Sequence, residues 1–376
     1  MPRHEIWLTD DNGARIAYLN NHLGGYFYRT VNAPAPFYLK LPSSFNTQLL
    51  LNGARLMPDR MVQFWRAPTG GSLGLWRVYF VQFLEIGRDN EGKLTVEIRG
   101  YDSLELLVRR IVAAYAGSAN ASATATEADD LAKSICTDML SDVIAPVPGE
   151  GTRAWGDLTI QADATAGPQL DKGFAWRRCI DVLQDLAEEA RQAGTEVFFD
   201  IVASTVSSSD IAFEFRTYTG QPGNDLTSLG GVFDEARGNL QAPMQTYDNR
   251  EAVNYVYAGG QNEGVNRDIQ QVADATRYVL SQWNRREAFA DARNQSTSAS
   301  VEDAGRQVLT AGEPIVRFKA RPKDTQAFRF GTDWDHGDKV IARFLGQQYE
   351  TIIRKTGIKL DANQGEELDI QLEYQE

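Results

Sequence analysis

The chain has 376 residues, 42% of them hydrophobic and 24% charged, with a net charge of −13. That is the balance of ordinary globular material, long enough for two to three domains at about 100–200 residues each. An acidic charge spread along the chain lacks the basic stripe of a nucleic-acid binder, no apolar run reaches the roughly 20 residues of a bilayer span, and the opening MPRHEIWLTDDNG has no secretory apolar core, which implies folding in a cytoplasm.

The first hundred residues read as strands. WLTDDNGARIAYL places two short apolar pieces around Asn12-Gly13, a hairpin signal. PAPFYLKLP and LLLNGARLMP follow, punctuated by proline and by Asn52-Gly53. Residues 75–86, LWRVYFVQFLEI, carry apolar side chains on both parities, which predicts a strand buried on both faces. Residues 93–99, KLTVEIR, alternate strictly and predict a half-buried strand. Short strands with regular turns favour a barrel or sandwich.

The period then changes. Leu104, Leu107, Val108, Ile111 and Tyr115 recur at helical spacing, with Ser103 as a candidate cap. Residues 114–130, small and polar, read as a linker. A second amphipathic helix carries Leu131, Ile135, Met139 and Val143. A third carries Phe174, Cys179, Ile180, Leu183, Leu186 and Ala187 and ends near Gly194. Strands are expected at 196–202 and 210–217, while 237–245 shows no clear period. Strand text returns at 253–258. A polar, partly helical excursion, 264–312, has its helix at 301–309. Strands follow at 313–320, at 339–344 and 349–353 as a hairpin about Leu345-Gly346, and at 367–374.

Four stretches carry a resemblance. AVNYVYAGGQNEG from Ala252 is followed by WNRREAFADARN from Trp283; RGYDSLELLVRRIV lies at 99–112 and GDKVIARFLGQQYETIIRKTGIKL at 337–360. In this order they resemble the tail-hub proteins of long-tailed bacterial viruses, a family that includes the N-terminal hub of tail-associated lysins and shares its fold with the central hubs of contractile tails. The resemblance implies a mainly β chain with α+β parts: a first small β-barrel over 1–112, an α+β domain over 113–245, and a second barrel over 246–376 with an insertion at about 265–312. It also implies a homotrimeric hub at the distal end of a virion tail, assembled in the host cytoplasm. Such a hub adapts a sixfold tail tube or distal tail protein to a threefold tip and gates DNA passage. Its implied partners are further copies of itself, the distal tail protein or tube ring, the tape-measure protein and tip or fibre proteins, with no tight nucleic-acid binding and no membrane insertion. The acidic balance suits a lumen past which DNA slides.

Little in the chain points to chemistry. His4, His22 and His336 form no metal or triad motif. Cys136 and Cys179 have neither CxxC nor a Cys/His spacing, which argues against a disulfide framework and a structural zinc site. The acidic run Asp333, Asp335, His336 and Asp338 imitates the start of a calcium loop, but its twelfth position would be Phe344, and a polar turn is the better reading. No catalytic residue, metal ligand or cofactor is therefore expected. Trp283, Arg285, Arg286, Glu287, Asp291 and Arg293 are the candidate subunit interface, because tryptophan and arginine anchor interfaces and mixed charges fix register. Residues 23–42, rich in aromatics, glycine and proline, read as barrel core or as a docking loop. The alternatives to a structural hub are a tail-tip cell-wall-degrading enzyme, for which the chain ending at Glu376 leaves no added domain, and a receptor- or carbohydrate-binding tail protein with Trp155 and Trp176 as contact candidates.

Overall fold

The computed structural model describes residues 2–42, 59–88, 91–112, 121–140, 153–174, 176–295, 297–361 and 365–375. The chain divides into two compact units, the first Met1–Gln241 with Arg321–Leu372 and the second Ala242–Ala320 with Glu373–Glu376.

The first unit opens with the expected hairpin, β1 (Arg3–Thr9) and β2 (Arg15–Tyr18). Asp10 closes it by accepting from the backbone N–H of Asn12 and Ala14. Gly13 turns the chain at φ 90°, where a Cβ would lie 2.3 Å from Ile211. β3 (Gly24–Thr30), β4 (Pro36–Pro42), β5 (Met61–Ala67), β6 (Gly74–Arg88) and β7 (Leu94–Asp102) follow. Alternation sends Phe27, Phe37, Leu39 and Leu41 inward, where Phe27 stacks on Phe64 with centroids 4.2 Å apart. The aromatic stretch 23–42 is thus core on one face, with Tyr26, Tyr28 and Tyr38 half-exposed on the other. β6 is buried on both faces only from Arg77 to Val81; beyond that point Phe83 and Ile86 are exposed. Val78 and Phe80 face the helical core, while Tyr79 packs against Phe27 and Phe37.

The helix expected from Ser103 is a single turn, α1 (Glu105–Val108). Ser103 does not cap it: its buried hydroxyl donates to the carbonyl of Ile201, and Ile111 enters a two-residue strand, β8 (Ile111–Val112). Tertiary pairing overrides the helical spacing there. The stretch read as a linker contains β9 (Ala121–Glu127), which leads into α2 (Ala128–Leu140). β10 (Leu158–Ile160), β11 (Gln169–Phe174), β12 (Arg177–Arg178), α3 (Cys179–Gln192), β13 (Val197–Val206), β14 (Ile211–Thr219) and β15 (Val232–Asp234) complete this part. β9 pairs with β11, β8 with β12, and β14 lies between β10 and β13. Leu131, Ile135 and Cys136 of α2 and Cys179, Leu183 and Leu186 of α3 bury their apolar stripe against Phe199, Phe213 and Phe215.

The second unit holds β16 (Leu240–Asp248), β17 (Tyr255–Gly259), β18 (Ile269–Ala273), α4 (Ala275–Tyr278), β19 (Glu287–Asp291), α5 (Ser298–Ala311) and β20 (Ile315–Pro322). β16, where sequence periodicity was silent, is hydrogen-bonded beside β20. Lys319 pairs with Glu373 at 2.7 Å.

Back in the first unit come β21 (Lys339–Phe344), β22 (Gln347–Ile352), β23 (Lys355–Asp361) and β24 (Gly365–Gln375). β21 and β22 form the expected hairpin about Leu345-Gly346. β23 pairs antiparallel with β3, Ile358 opposite Phe27, so one antiparallel sheet runs β24-β23-β3-β4-β7-β6-β5-β1-β2. The acidic run before β21 is a turn. Trp334 is buried among Phe233, Phe328 and Phe330, and Asp338 spends both carboxylate oxygens on the backbone N–H of Asn224 and Asp335. Asp333 accepts from the N–H of Arg329, and Asp335 from that of His336. The chain is mainly β with a minority of helix, as its sequence predicts.

Candidate functional site: an open sheet face

In the second unit β17 is the central strand of a three-stranded sheet. It runs antiparallel to β18, with Gly259 opposite Ile269, and parallel to β19, with Tyr257 opposite Phe289. This strand, expected to open a second barrel, therefore pairs with two strands of the excursion that follows it. Alternation gives the sheet two unlike faces. Val256, Ala258, Ala288 and Ala290 point towards α5, whose Val301, Ala304 and Val308 cover them. Gly305 lets α5 pack close, since a Cβ there would meet Val272 at 2.9 Å and Ala258 at 3.1 Å. Thr297 caps α5 by accepting from the N–H of Ser300.

The opposite face carries Tyr255, Tyr257, Ile269, Gln271, Glu287, Phe289 and Asp291 by register. Large apolar groups stay in solvent there: Phe289 is 53% exposed and Ile269 48%. Two arginines lie across it. Arg285 places its guanidinium 3.8 Å from the Tyr255 ring centroid, donates to the Tyr257 hydroxyl at 2.7 Å and pairs with Glu287 at 2.6 Å. Arg267 lies 5.1 Å from the Phe289 centroid and donates to the Gly259 carbonyl and to Asp291, each at 2.9 Å. Arg293 also binds Asp291, and its hydrogen bond is the main reason that carboxyl sits below the usual range. The face is a preset lattice of stacked rings and paired charges of both signs.

The loop from α4 to β19 presents Val279, Leu280 and Trp283, the last 84% exposed. Asn254 holds this loop: its amide donates to the Asn284 carbonyl at 2.5 Å and its oxygen accepts from the Arg286 N–H at 2.8 Å. Of the six residues predicted, Arg285, Glu287, Asp291 and Arg293 come together around this face, and Trp283 stands in the adjoining loop. Arg286 departs from them, its guanidinium donating to the Asn249 carbonyl. Tyr257, Ile269, Phe289 and Arg267 were missed. The signal for part of this was present in EAFAD, where alanines alternate with Glu287, Phe289 and Asp291.

His336 is half-buried, hydrogen-bonded to Thr356 at 3.2 Å, and held neutral first by the loss of solvent around its ring and then by Arg29. Among the described residues the one cluster of three carboxylates near enough to share an ion is Asp129, Asp130 and Asp163. Lys133, 3.0 Å from Asp129, offsets part of its charge. Trp155 lies under the Arg110 guanidinium at 4.1 Å, whereas Trp176 is exposed.

Comparison with known proteins fits this architecture. Curated proteins yield no match. Among solved structures, the 43 kDa tail protein of prophage MuSo2 from Shewanella oneidensis aligns with TM-score 0.55 and 14% identity over 98% of both chains. A tail protein of Neisseria meningitidis MC58 aligns with TM-score 0.54 and 10% identity over 99% of this chain and 96% of its own. A chain of the lidded PdpA–VgrG complex of Francisella aligns with TM-score 0.51 and 9% identity, over 100% of this chain but 52% of its own. At such identities the likeness is one of fold. The family model described as Siphovirus ReqiPepy6 Gp37-like protein matches residues 4–372, and this chain belongs to that family.

Proposed function

We propose that this chain is a structural protein of a phage tail, acting as a homotrimeric hub at the distal end. Three copies would close a ring, adapt the sixfold tail tube or distal tail protein to a threefold tip, contact the tape-measure protein and tip or fibre proteins, and open a path for DNA. Its role is mechanical, not enzymatic. Family membership and the fold shared with the prophage tail proteins over nearly the whole of both chains support the tail assignment. The observation that carries the assembly reading is the open face of the second unit. Burying Phe289, Ile269 and the Arg285–Tyr255 stack against another subunit removes apolar area from water and strengthens the charge pairs by excluding solvent. A net charge of −13 suits a channel that repels DNA.

The experiment is oligomer mass by light scattering across a concentration series, for the wild type and Arg285→Glu. A trimer in the wild type that dissociates in the variant supports the reading. A wild type that stays monomeric both alone and when mixed with purified tail tube overturns it. A zymogram on host cell wall tests the enzymatic alternative, which a clear lytic band would favour.

A further inference from the structure

The first unit carries a cleft that the hub reading does not use. On the outer face of β23, β3 and β4, side chains fall into two rows across the strands. Register sets Lys359, Tyr26 and Tyr38 in one row and Asp361, Gly24 and Lys40 in the next. The first row is aromatic, with the Tyr26 and Tyr38 centroids 5.5 Å apart. The second is interrupted at its centre, because Gly24 places no side chain between Asp361 and Lys40. Gly24 sits at φ 154°, and a Cβ there would lie 3.3 Å from the Leu360 carbonyl oxygen. The gap opens a cleft of about 620 Å³, which the half-buried rings of Tyr26 and Tyr38 and the exposed Leu23 also line. Clefts of about 300–1,000 Å³ are the size that holds small organic ligands.

We propose that this cleft binds a neutral sugar chain, the polysaccharide of a cell surface. The lining selects that class by its balance of charge. Lys40 pairs with Glu97 at 3.1 Å and Lys359 with Asp369 at 2.8 Å, so the walls already neutralise their own ammonium groups. A phosphate or sulfate ligand meets the carboxylates of Asp361 and Glu367, and a quaternary ammonium meets Lys40 and Lys359. Neither sign gains a net counter-charge. A pyranose needs none. Its C–H face covers a tyrosine ring, removing apolar surface of both from water. Its hydroxyls each donate and accept, so one can give to Asp361 while another receives from Lys40 across the Gly24 floor. The rings are set before any ligand arrives: Arg99 lies 5.3 Å from the Tyr38 centroid, and Tyr26 is held between Tyr38 and Tyr28, whose hydroxyl donates to Asp369 at 2.5 Å. Little ordering is left to oppose binding.

The test is calorimetry on the full chain with neutral oligosaccharides of glucose, galactose and N-acetylglucosamine, beside anionic oligogalacturonate and cationic chitosan oligomers of matched length. It is repeated on Tyr26→Ala, Asp361→Ala and, at an exposed ring elsewhere, Trp176→Ala, with circular dichroism to confirm folding and light scattering to follow oligomer mass. The expected result is submillimolar binding of a neutral oligosaccharide, weakened about fivefold or more by Tyr26→Ala and by Asp361→Ala and unchanged by Trp176→Ala. Magnetisation transfer from tyrosine ring protons to the sugar, measured on the wild type, gives a reading independent of whether the variants fold. No neutral oligosaccharide bound below millimolar concentration, tighter binding of either charged oligomer, binding indifferent to Tyr26→Ala, or binding lost in Trp176→Ala would each overturn the proposal. A parent that binds no sugar, with an oligomer mass that falls in Tyr26→Ala, would overturn it in favour of a subunit contact.

Discussion

Replacing Arg77 by methionine removes the charge at the centre of the first unit. Arg77 on β6 is buried and reaches two carboxylates. Its Nε donates to Asp102 on β7 at 2.8 Å, and its two terminal nitrogens clasp Asp200 on β13 at 2.8 and 2.6 Å. Asp102 is fully buried and also accepts from the N–H of Ala35 and Leu104. Burial pushes its carboxyl up to about 6 against the pull of Arg77, so at neutral pH it is still ionised and the pair is a true ion pair. Arg77→Met strands that carboxylate without a counter-charge, at a cost of about 3–5 kcal/mol. At roughly 2 °C per kcal/mol for a unit of this size, Tm falls by about 6–10 °C. Without Arg77 the orphaned carboxyl holds its proton to higher pH than in the wild type. The deficit should therefore be largest near about pH 8 and shrink towards about pH 5, where Asp102 is protonated and neutral. Adding Asp102→Asn, which keeps an acceptor for Ala35 and Leu104, should recover part of the loss. Thermal melts across that pH range decide the matter. An Arg77→Met protein with unchanged Tm, or a deficit that grows on acidification, would refute the reasoning.

Burial holds His22 down at about 4, with His4 adding to the effect, and burial also lowers His336 well below the usual value. Their neutral state favours the fold above the unfolded value of 6.5, and this contribution is lost as pH falls from 6.5 towards 4. Melts should show a decline over that window that is smaller in His22→Gln. Gly13→Ala puts a Cβ into Ile211 at a positive φ and should destabilise by more than about 1 kcal/mol, read by chemical denaturation; an unchanged midpoint would contradict the turn geometry. Cys136 and Cys179 are buried free thiols. A thiol reagent should label them slowly in the native protein and rapidly in denaturant, and rapid native labelling would contradict the packing of α2 on α3. Trp283→Ala should leave the circular dichroism of the protein unaltered, because the ring is 84% exposed in the single chain, while weakening any assembly that covers it.

The sequence was legible where neighbours along the chain set the structure. The stripe of α2 at Leu131 and Ile135, that of α3 from Cys179 onward and the hairpin of β21 and β22 follow from local period and turn residues, whereas Phe174, read into the third helix, lies on β11. It was illegible where distant partners decide. Ile111 has helical spacing from Leu107, yet it pairs with Arg178 of β12. Residues 121–127 look like a linker because their side chains are small and polar, yet their backbone finds β11. The register that sets Ile358 against Phe27 leaves no mark on either segment alone. The candidate face was half legible. Charged residues at 285–293 announced themselves, but Arg267 and Ile269 join them only through the pairing of β18 with β17. Arg286, adjacent in sequence, turns instead to Asn249.

The central claim is that the open face of the second unit is a seam between subunits. Its most direct test is the molar mass of the purified chain beside that of Arg285→Glu, measured by light scattering with circular dichroism confirming that both are folded. The account predicts three copies per particle for the wild type and a folded monomer for Arg285→Glu. A wild type and a variant of identical mass, with Arg285→Glu assembling as well as the parent, would contradict it.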